Sequence, residues 1–573
     1  MSSTQTTTTT AGEKGKTKGL LHVTMQPRLG ELSSIHQFHE WYNNEHGPTR
    51  LRLPQIFPNG LRYRAIDGEE PEFLAIYDVT EMRFLETEIY TDLRANRSER
   101  EAGTIGCVDV GRRFFDLLFS SEEEEGEGGG GGDRGGNDGG VGEGKRFEQK
   151  EGDVLVCVEL AVKGDVNVEE VEKKVVEWYA QEHVEMLRRV QGWRRTRVYR
   201  TPSRIEEASS GAKGARIVAL HEYDKVNGLG GEAHRLAMGT ERRKEVFATY
   251  VEEKLRREYE LFYIFGPAPR ELDALSHLPV EASFVSVDGK ITTTAGEHAA
   301  IDAYVTTKDG LEIPYRLEGN GKEGAPTVAF CNSLLTSLHM WDPLVAILKE
   351  KRPDVRILRY DTRGRHDVPE PAVPATLEML ADDLKTLLAA LRIEKLDALV
   401  GVSMGGATTL KFALRNPGLV GRFVACDFNV ASSDANTAAW KDRIAVAESP
   451  EQGIGKLAGV TVERWFHPYT MSDRKAVAEW MTEMVAANSV QGFRFSCQAL
   501  WNYNMREEMK GCKVSGLFVV GDGDGKGALV KAMDGFKGLL GEAGAELKVV
   551  PQAGHLPMCE APREFWEAIK GFL

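Results

Sequence analysis

The motif Trp-Tyr-x-x-Glu-His occurs twice in the first half of the chain, ending at His46 and at His183, 137 positions apart. An alternating strand pattern precedes each copy, at residues 20–25 and 154–160. Two more strands, a helix and a final aromatic strand follow each copy. The order β-α-β-β-α-β is that of the ferredoxin-like plait. A motif repeated with the same neighbours predicts an internal duplication.

An acidic, glycine-rich segment separates the two copies. Residues 121–146 offer almost no side chain that a core could bury, so we expect a flexible linker. A single plait leaves one apolar face of its sheet uncovered, and two tethered copies can bury these faces against each other. The arrangement resembles the dimeric α+β barrel superfamily, particularly EthD-like domains, over about residues 18–268. We therefore expect an α+β tandem ferredoxin-like barrel, formed by intramolecular pairing of the two repeats.

The histidines of the repeated motif allow two interpretations. Each Glu-His pair could act as acid and base in a pocket of the barrel, or His46 and His183 could cap the C-termini of their helices, where the dipole favours a cation. The arginine-rich strands at residues 61–64 and 193–197 could likewise bind an anionic ligand or form a solvated face. The sequence favours the structural interpretation in both cases, and His46 and His183 stay candidate pocket residues.

Apolar strands alternate with helical stretches from about residue 280 to residue 573. The strands are expected at Thr327–Cys331, 355–360, 397–401, 423–427, 516–520 and Glu546–Val550. Such alternation predicts a mostly parallel sheet with helices on both faces.

Gly401-Val402-Ser403-Met404-Gly405 fits the pattern G-x-S-x-G between a strand and a helix. Glycines flank the serine because so sharp a turn leaves no room for neighbouring Cβ atoms. Asp524 follows a later strand and His555 follows the last one, which is the Ser, Asp, His order of α/β-hydrolases. In such a triad the serine attacks, the histidine takes its proton and the acid orients the imidazole. Asp522, near the same strand end, is the alternative acid.

A tetrahedral intermediate of acyl transfer needs two convergent backbone N–H groups. Met404 directly follows the predicted nucleophile, and Leu334 lies in the loop after the strand Thr327–Cys331. These two residues are the candidate donors of an oxyanion hole.

Several strings in this half resemble 3-oxoadipate enol-lactonases, over about residues 300–573. They are CNSLLTSLHMWDPL at 331–344, RYDTRGRHDVP at 359–369, LVGVSMGGATTLKFALRNP at 399–417, and FVVGDGDG with QAGHLPMCEAPREF further on. The resemblance implies an α/β-hydrolase with a small cap at about residues 430–505.

The same resemblance implies hydrolysis of an enol-lactone through Ser403, Asp524 and His555, without cofactor or metal. It also assigns the oxyanion donors to Leu334 and Met404. Leu335 stands where family members usually have glycine, which narrows the mouth of the site and leaves the exact substrate open.

Composition excludes several other classes of protein. A net charge of −15 argues against nucleic-acid binding, which needs a basic surface. No apolar run reaches the roughly 20 residues of a membrane span. The seven cysteines are scattered without a C-x-x-C pair, which argues against a disulfide framework. The first 17 residues lack the apolar core of a signal peptide and are expected to be a disordered tail, so we expect a cytoplasmic protein.

The sequence thus predicts a serine hydrolase that cleaves a carboxylic ester or lactone through an acyl-serine intermediate, with a small molecule as its partner. One alternative is a bifunctional isomerase and lactonase, in which the barrel supplies the isomerase. Another is a ligand-binding or scaffolding barrel joined to a different α/β-hydrolase, such as a cofactor-free haloperoxidase or an acyltransferase.

Overall fold

The computed structural model describes residues 17–122, 149–201, 215–279 and 281–573. Most of the predicted linker and of the predicted N-terminal tail therefore lies outside the described residues. The chain forms two compact units. The first comprises the described residues up to Phe38 and from His46 to Gly266, and the second comprises His39–Glu45 and Pro267–Leu573.

A closed barrel of eight antiparallel strands forms the first unit, in the order β1-β3-β2-β8-β5-β7-β6-β4. Each half has the strand order of a ferredoxin-like plait, and β2 pairs with β8 and β4 with β6 where the halves meet. The strands are β1 (Gly19–Pro27), β2 (Leu61–Ala65), β3 (Phe73–Val79), β4 (Val108–Ser120), β5 (Val154–Val162), β6 (Trp193–Arg200), β7 (Arg216–Tyr223) and β8 (Val251–Ile264).

Alternation along the strands separates two apolar layers in this unit. Leu155 and Cys157 of β5 point into the barrel with Leu220 of β7. Val156 and Val158 point outward and are covered by the helices of the second repeat. The helices are α1 (Ile35–Trp41), α2 (Gly47–Leu51), α3 (Glu88–Ala95), α4 (Glu99–Gly106), α5 (Val168–Trp178), α6 (Val184–Leu187), α7 (Glu232–Met238) and α8 (Glu241–Tyr250).

The second unit is built on a ten-stranded sheet of order β18-β17-β16-β15-β13-β14-β12-β11-β10-β9. Strands β13 to β18 are parallel, as the sequence predicts, and β9 to β12 extend the sheet as an antiparallel edge that the sequence analysis did not predict. The strands are β9 (Ser283–Val285), β10 (Thr292–Thr294), β11 (Ala300–Thr306), β12 (Glu312–Gly319), β13 (Thr327–Cys331), β14 (Arg356–Tyr360), β15 (Leu396–Val402), β16 (Val420–Cys426), β17 (Ser515–Gly521) and β18 (Glu546–Val550).

Helices surround this sheet, and several of them lie between β16 and β17, where the cap is predicted. Every residue of β13 is buried, as expected for a parallel strand covered on both faces. The α/β-hydrolase fold predicted for this half is confirmed. The helices are α9 (Leu272–Ser276), α10 (Asp342–Lys351), α11 (Leu377–Ala390), α12 (Met404–Arg415), α13 (Asp434–Glu448), α14 (Gly453–Trp465), α15 (Pro468–Asp473), α16 (Lys475–Ala486), α17 (Val490–Ser496), α18 (Arg506–Met509), α19 (Ala528–Phe536), α20 (Pro557–Glu560) and α21 (Pro562–Ile569). Within the described parts of the chain, no helix combines the length and the apolar character needed to span a membrane.

Candidate active site

Ser403 lies at a sharp turn between β15 and α12. Its backbone has φ 59° and ψ −119°, a conformation that is unfavourable for a residue with a Cβ atom. The neighbouring glycines leave the space that the turn needs. A Cβ at Gly401 would lie 2.2 Å from the carbonyl oxygen of Gly405, and a Cβ at Gly405 would lie 2.1 Å from that of Cys331. The turn therefore presents Ser403 at the start of a helix, in the geometry that the G-x-S-x-G spacing predicts.

His555 and Asp524 come together from the loops that follow β18 and β17. The Nδ1 atom of His555 lies 2.7 Å from Oδ2 of Asp524. Asp524 is buried, whereas Asp522 is exposed and its Oδ1 accepts a hydrogen bond from the backbone N–H of Ala553. This geometry favours Asp524 over Asp522 as the acid of the predicted triad.

The parallel register explains why distant parts of the sequence meet here. Leu334, Ser403, Asp524 and His555 each follow the carboxyl end of a parallel strand, and these ends share one edge of the sheet. The backbone N–H of Ser403 also donates to the carbonyl of Cys426 over 2.9 Å, which joins the ends of β15 and β16.

The two predicted oxyanion donors are both buried at this edge. Met404 is the first residue of α12, where a backbone N–H has no acceptor within the helix. The loop that carries Leu334 is braced by Asn332, whose amide donates to the carbonyl of Tyr360 over 2.8 Å and accepts from the indole of Trp341 over 2.9 Å. Their role as donors stays a prediction.

Leu335 has a strained backbone conformation, and its carbonyl group is held by a hydrogen bond. It has φ 70°, a conformation that favours glycine, and its side chain is buried. Its carbonyl accepts a hydrogen bond of 2.7 Å from the side-chain amide of Asn488, between α16 and α17. A residue of the predicted cap thus holds the loop that carries the candidate oxyanion donor.

Asp427 is a residue of this site that the sequence analysis missed. It follows β16, is 1% exposed, and accepts a hydrogen bond of 2.9 Å from the backbone N–H of Gly521. Carboxylate oxygens of Asp427 and Asp524 and a ring nitrogen of His555 lie within 4.8 Å of one another. Burial, together with the charge of Asp524, raises the pKa of Asp427 well above its usual range. Burial beside Asp524 therefore favours the protonated form of Asp427, which can donate a hydrogen bond.

The three side chains of this cluster are of the types that bind metal ions. Among the described residues, Asp427, Asp524 and His555 form a group close enough to hold a metal ion. A cation would need Asp427 as a carboxylate, whereas burial favours its protonated form. The Nδ1 atom of His555 is already engaged by Asp524. The cluster fits a hydrogen-bonded acid and imidazole better than a metal site.

The buried side chain of Glu560 holds the loop that carries His555 through hydrogen bonds. Glu560 accepts hydrogen bonds of 2.8 Å from the backbone N–H groups of Gly554 and His467 and from the hydroxyl of Thr470. The indole of Trp465 stacks on the imidazole with ring centroids 5.5 Å apart. These contacts fix the position of the imidazole, and sequence reasoning did not single out Glu560.

The structure places the other two candidate histidines in the first unit, and their interpretation as helix caps is wrong. His46 and His183 each end a π-helical turn, Tyr42–His46 and Tyr179–His183, from which a helix continues. Both side chains are buried. Burial lowers the pKa of His46 to about 3, although its Nδ1 contacts Oε1 of Glu101 at 2.8 Å.

The interpretation of the arginine-rich strands as solvated faces is also wrong for three of their members. Arg62, Arg195 and Arg197 are buried. Both Arg195 and Arg197 pair with Glu222 of β7, at 2.9 and 2.7 Å, and the guanidinium of Arg62 packs 4.8 Å from the ring centroid of Phe38. Charge pairing and aromatic contact make this burial feasible.

Comparison with known proteins agrees with this fold. Residues 326–562 match the model of the alpha/beta hydrolase fold family. The chain is 30% identical over 272 residues to 3-oxoadipate enol-lactonase 1 of Acinetobacter baylyi, covering 47% of this chain and 96% of that protein. It is 27% identical over 253 residues to 3-oxoadipate enol-lactonase 2 of the same organism, covering 44% and 90%. The crystal structure of the enol-lactonase from Burkholderia xenovorans LB400 aligns at 28% identity over 47% of this chain and 98% of that one, with a TM-score of 0.42.

The fold and the sequence matches define the class of this protein. Through its second unit, the chain belongs to the α/β-hydrolase family. Within that family it is similar to 3-oxoadipate enol-lactonases, whose length the chain spans almost completely.

Proposed function

We propose that this protein is a hydrolase of carboxylic esters or lactones, that Ser403 is its nucleophile, and that an enol-lactone-like ester is its substrate. The observation that carries the proposal is the strained turn at Ser403, on the same sheet edge as the His555–Asp524 hydrogen bond of 2.7 Å. Strain of this kind costs about 1–3 kcal/mol and is kept where it presents a reacting group. The names of the relatives supply the substrate class.

In the first half of the reaction, Oγ of Ser403 attacks the carbonyl carbon while His555 takes the hydroxyl proton. The carbonyl oxygen becomes an oxyanion, which the N–H groups of Met404 and Leu334 stabilise. The C–O bond of the ester then breaks, and the imidazolium of His555 returns the proton to the leaving oxygen. In a lactone, this oxygen stays attached to the acyl group.

In the second half, water attacks the acyl-serine and gives its proton to His555. The tetrahedral intermediate collapses, the C–O bond to Oγ of Ser403 breaks, and the proton moves from the imidazolium to Oγ. The product is a carboxylic acid with a free hydroxyl or, from an enol-lactone, the enol that rearranges to a ketone. Asp524 stays ionised throughout and holds the Nδ1–H of His555.

Asp427 supports this proposal as a positioning residue. A protonated Asp427 that donates to Asp524 leaves a single negative charge on the pair, facing the imidazole. The backbone N–H of Gly521 holds one carboxyl oxygen of Asp427, and this contact orients the carboxyl group within the cluster of Asp524 and His555.

A hydrolysis screen tests the proposal. The full chain and its Ser403→Ala variant are assayed on p-nitrophenyl esters and on a set of lactones that includes enol-lactones. We expect turnover by the full chain and loss of turnover in the variant. Turnover that persists in Ser403→Ala would contradict the assignment of the nucleophile, and turnover of esters without lactones would contradict the substrate class.

A further inference from the structure

The side chain of Asn488 joins the predicted cap to the turn that carries Leu334, the candidate oxyanion donor. Asn488 lies two residues after α16 and is buried. Its amide donates to the carbonyl of Leu335 over 2.7 Å and to the carbonyl of Val485 over 2.9 Å. A side-chain amide has two N–H groups, so one of them holds the end of α16 and the other reaches the turn.

Two other contacts keep the end of α16 on the same turn. The guanidinium of Arg365 donates to the carbonyl of Met484 over 2.8 Å, and the backbone N–H of Ser337 donates to the sulfur atom of Met484 over 3.3 Å. Arg365 also lies 3.4 Å from the carbonyl of Leu335, beyond the usual length of a hydrogen bond to oxygen. The short hydrogen bond to this carbonyl therefore comes from Asn488, whereas the helix end has support that does not depend on Asn488.

The turn runs from Ser333 to Thr336 and is closed by two donors of its last residue. The backbone N–H and the hydroxyl of Thr336 donate to the carbonyl of Ser333 over 3.2 and 2.8 Å. Leu335, the third residue, has φ 70°, at the place where a type II turn favours glycine. A leucine is strained in this conformation and stays there only when its surroundings hold it.

The hydrogen bonds of the turn form a chain through two peptide units. A trans peptide unit points its C=O and its N–H in opposite directions. Asn488 donates to the carbonyl of the unit between Leu335 and Thr336. The N–H of that unit donates to the carbonyl of the unit between Ser333 and Leu334, whose own N–H is the candidate oxyanion donor. Hydrogen bonds in such a chain polarise one another, so a donor at one end strengthens the N–H at the other end.

We infer that Asn488 is a positioning residue of the hydrolase site, which orients and polarises the N–H of Leu334 toward the oxyanion of an ester or lactone. It acts through the turn rather than on the substrate. The cap therefore contributes to the chemical step, because the donor is set while α16 lies on the turn. This inference rests on the proposed function, in which Leu334 stabilises the oxyanion formed at Ser403.

Steady-state hydrolysis of p-nitrophenyl acetate by the full chain tests the inference. Asn488→Leu keeps the approximate size of the side chain and removes both N–H donors. We expect kcat and kcat/KM to fall together by about tenfold, because the oxyanion exists only in the transition state. Asn436→Ala, at an exposed asparagine of α13, is the control and should leave both values unchanged. A higher KM with kcat unchanged in Asn488→Leu, or the kinetics of the parent, would overturn the inference.

A second variant on the same chain of hydrogen bonds shows whether the two residues act on one donor. Thr336→Val removes the hydroxyl that holds the carbonyl of Ser333 and should lower kcat about fivefold. In the double variant we expect a loss smaller than the product of the two single losses, since both changes weaken the same N–H. Losses that multiply would overturn the inference. If Asn488→Leu does not fold, Asn488→Ala replaces it in both comparisons.

Amide hydrogen exchange separates this inference from the proposed function. If the parent turns over esters no faster than Ser403→Ala, the proposed function fails, and exchange at the N–H of Thr336 tests the hold of Asn488 on the turn. Mass spectrometry with single-residue resolution should find this exchange about tenfold faster in Asn488→Leu than in the parent and unchanged in Asn436→Ala. Equal exchange in Asn488→Leu and the parent would overturn the inference.

Discussion

Two histidines, His555 in the hydrolase unit and His183 in the barrel unit, lie in contrasting surroundings. Nδ1 of His555 meets the carboxylate of Asp524 at 2.7 Å, whereas Nδ1 of His183 is buried with no partner in the described part of the chain. A carboxylate partner prepares an imidazole to carry a proton, and an unpartnered neutral imidazole prepares it to accept a hydrogen bond. The same residue type therefore indicates proton transfer in the hydrolase unit and a buried, neutral side chain in the barrel unit.

The largest expected effect is a loss of turnover that is confined to the hydrolase unit. Ser403→Ala removes the nucleophile and should lower kcat by about 10⁶, the order seen when a triad serine is lost. The melting temperature of the barrel unit should be unchanged, because Ser403 lies in the other unit. Ser472→Ala, at an exposed serine of α15, serves as the control in the same ester assay. A kcat within about tenfold of the parent in Ser403→Ala would contradict the assignment of the nucleophile.

The next effect tests which acid holds His555. Asp524→Asn removes the charge that orients the imidazole and should lower kcat by about 10⁴ near neutral pH. Asp522→Asn is the matched variant two residues away, and it should retain kcat within about threefold because its carboxyl group contacts a backbone N–H rather than the imidazole. A larger loss of kcat in Asp522→Asn than in Asp524→Asn would identify Asp522 as the acid that orients His555.

Acid should destabilise the barrel unit before the hydrolase unit. Burial lowers the pKa of His22, His46 and His221 to about 3, so the unfolded chain binds protons that the folded barrel excludes. Stability from these histidines is fully present above about pH 6.5 and falls by about 1.4 kcal/mol per histidine per pH unit below it, until the folded pKa is reached.

In the hydrolase unit, Asp342 raises the pKa of His339, which acts in the opposite direction. Differential scanning calorimetry at about pH 7 and about pH 5 measures both transitions. We expect the barrel transition to move to lower temperature by more than the hydrolase transition. Equal shifts would contradict the assignment of buried neutral histidines to the barrel.

The smallest effect concerns Asp427. Asn is nearly isosteric with the protonated carboxyl group, so Asp427→Asn should keep kcat within about tenfold near neutral pH. The activity of this variant should also persist at higher pH than that of the parent, because no second carboxyl group can ionise beside Asp524. A pH–rate profile that is identical in the two proteins would contradict the neutral state of Asp427.

The sequence predicted the hydrolase half well because its signals are local. Ser403, Asp524 and His555 each follow an apolar strand, and parallel strands carry their ends to one edge of the sheet. The antiparallel strands β9 and β10 were missed since each has three residues and β10 is Thr292–Thr294, without apolar alternation. Asp427 was missed because it belongs to the site only through its contact with Asp524, which lies 97 residues further along the chain. A single aspartate after a strand forms no recognisable sequence motif.

Prediction in the barrel half failed where burial depends on partners from other strands. Arginine is a residue type that is usually exposed at the surface. Arg197 is nevertheless buried, because Glu222 of β7 pairs with it. His183 ends a repeated motif, and only the packing of α5 to α8 on the sheet places it in a cavity rather than at a helix end. Charge pairs across strands and helix packing on a sheet leave no periodic signal in a single sequence.

The central claim is that Ser403 forms an acyl intermediate, and trapping that intermediate tests it most directly. The full chain is mixed with p-nitrophenyl acetate, quenched in acid during turnover and mapped by peptide mass spectrometry. We predict a burst of p-nitrophenolate equal to the concentration of the chain, and an acetyl group on Ser403 that is absent from Ser403→Ala. Turnover without a burst, or an acetyl group on another side chain in its place, would contradict the account.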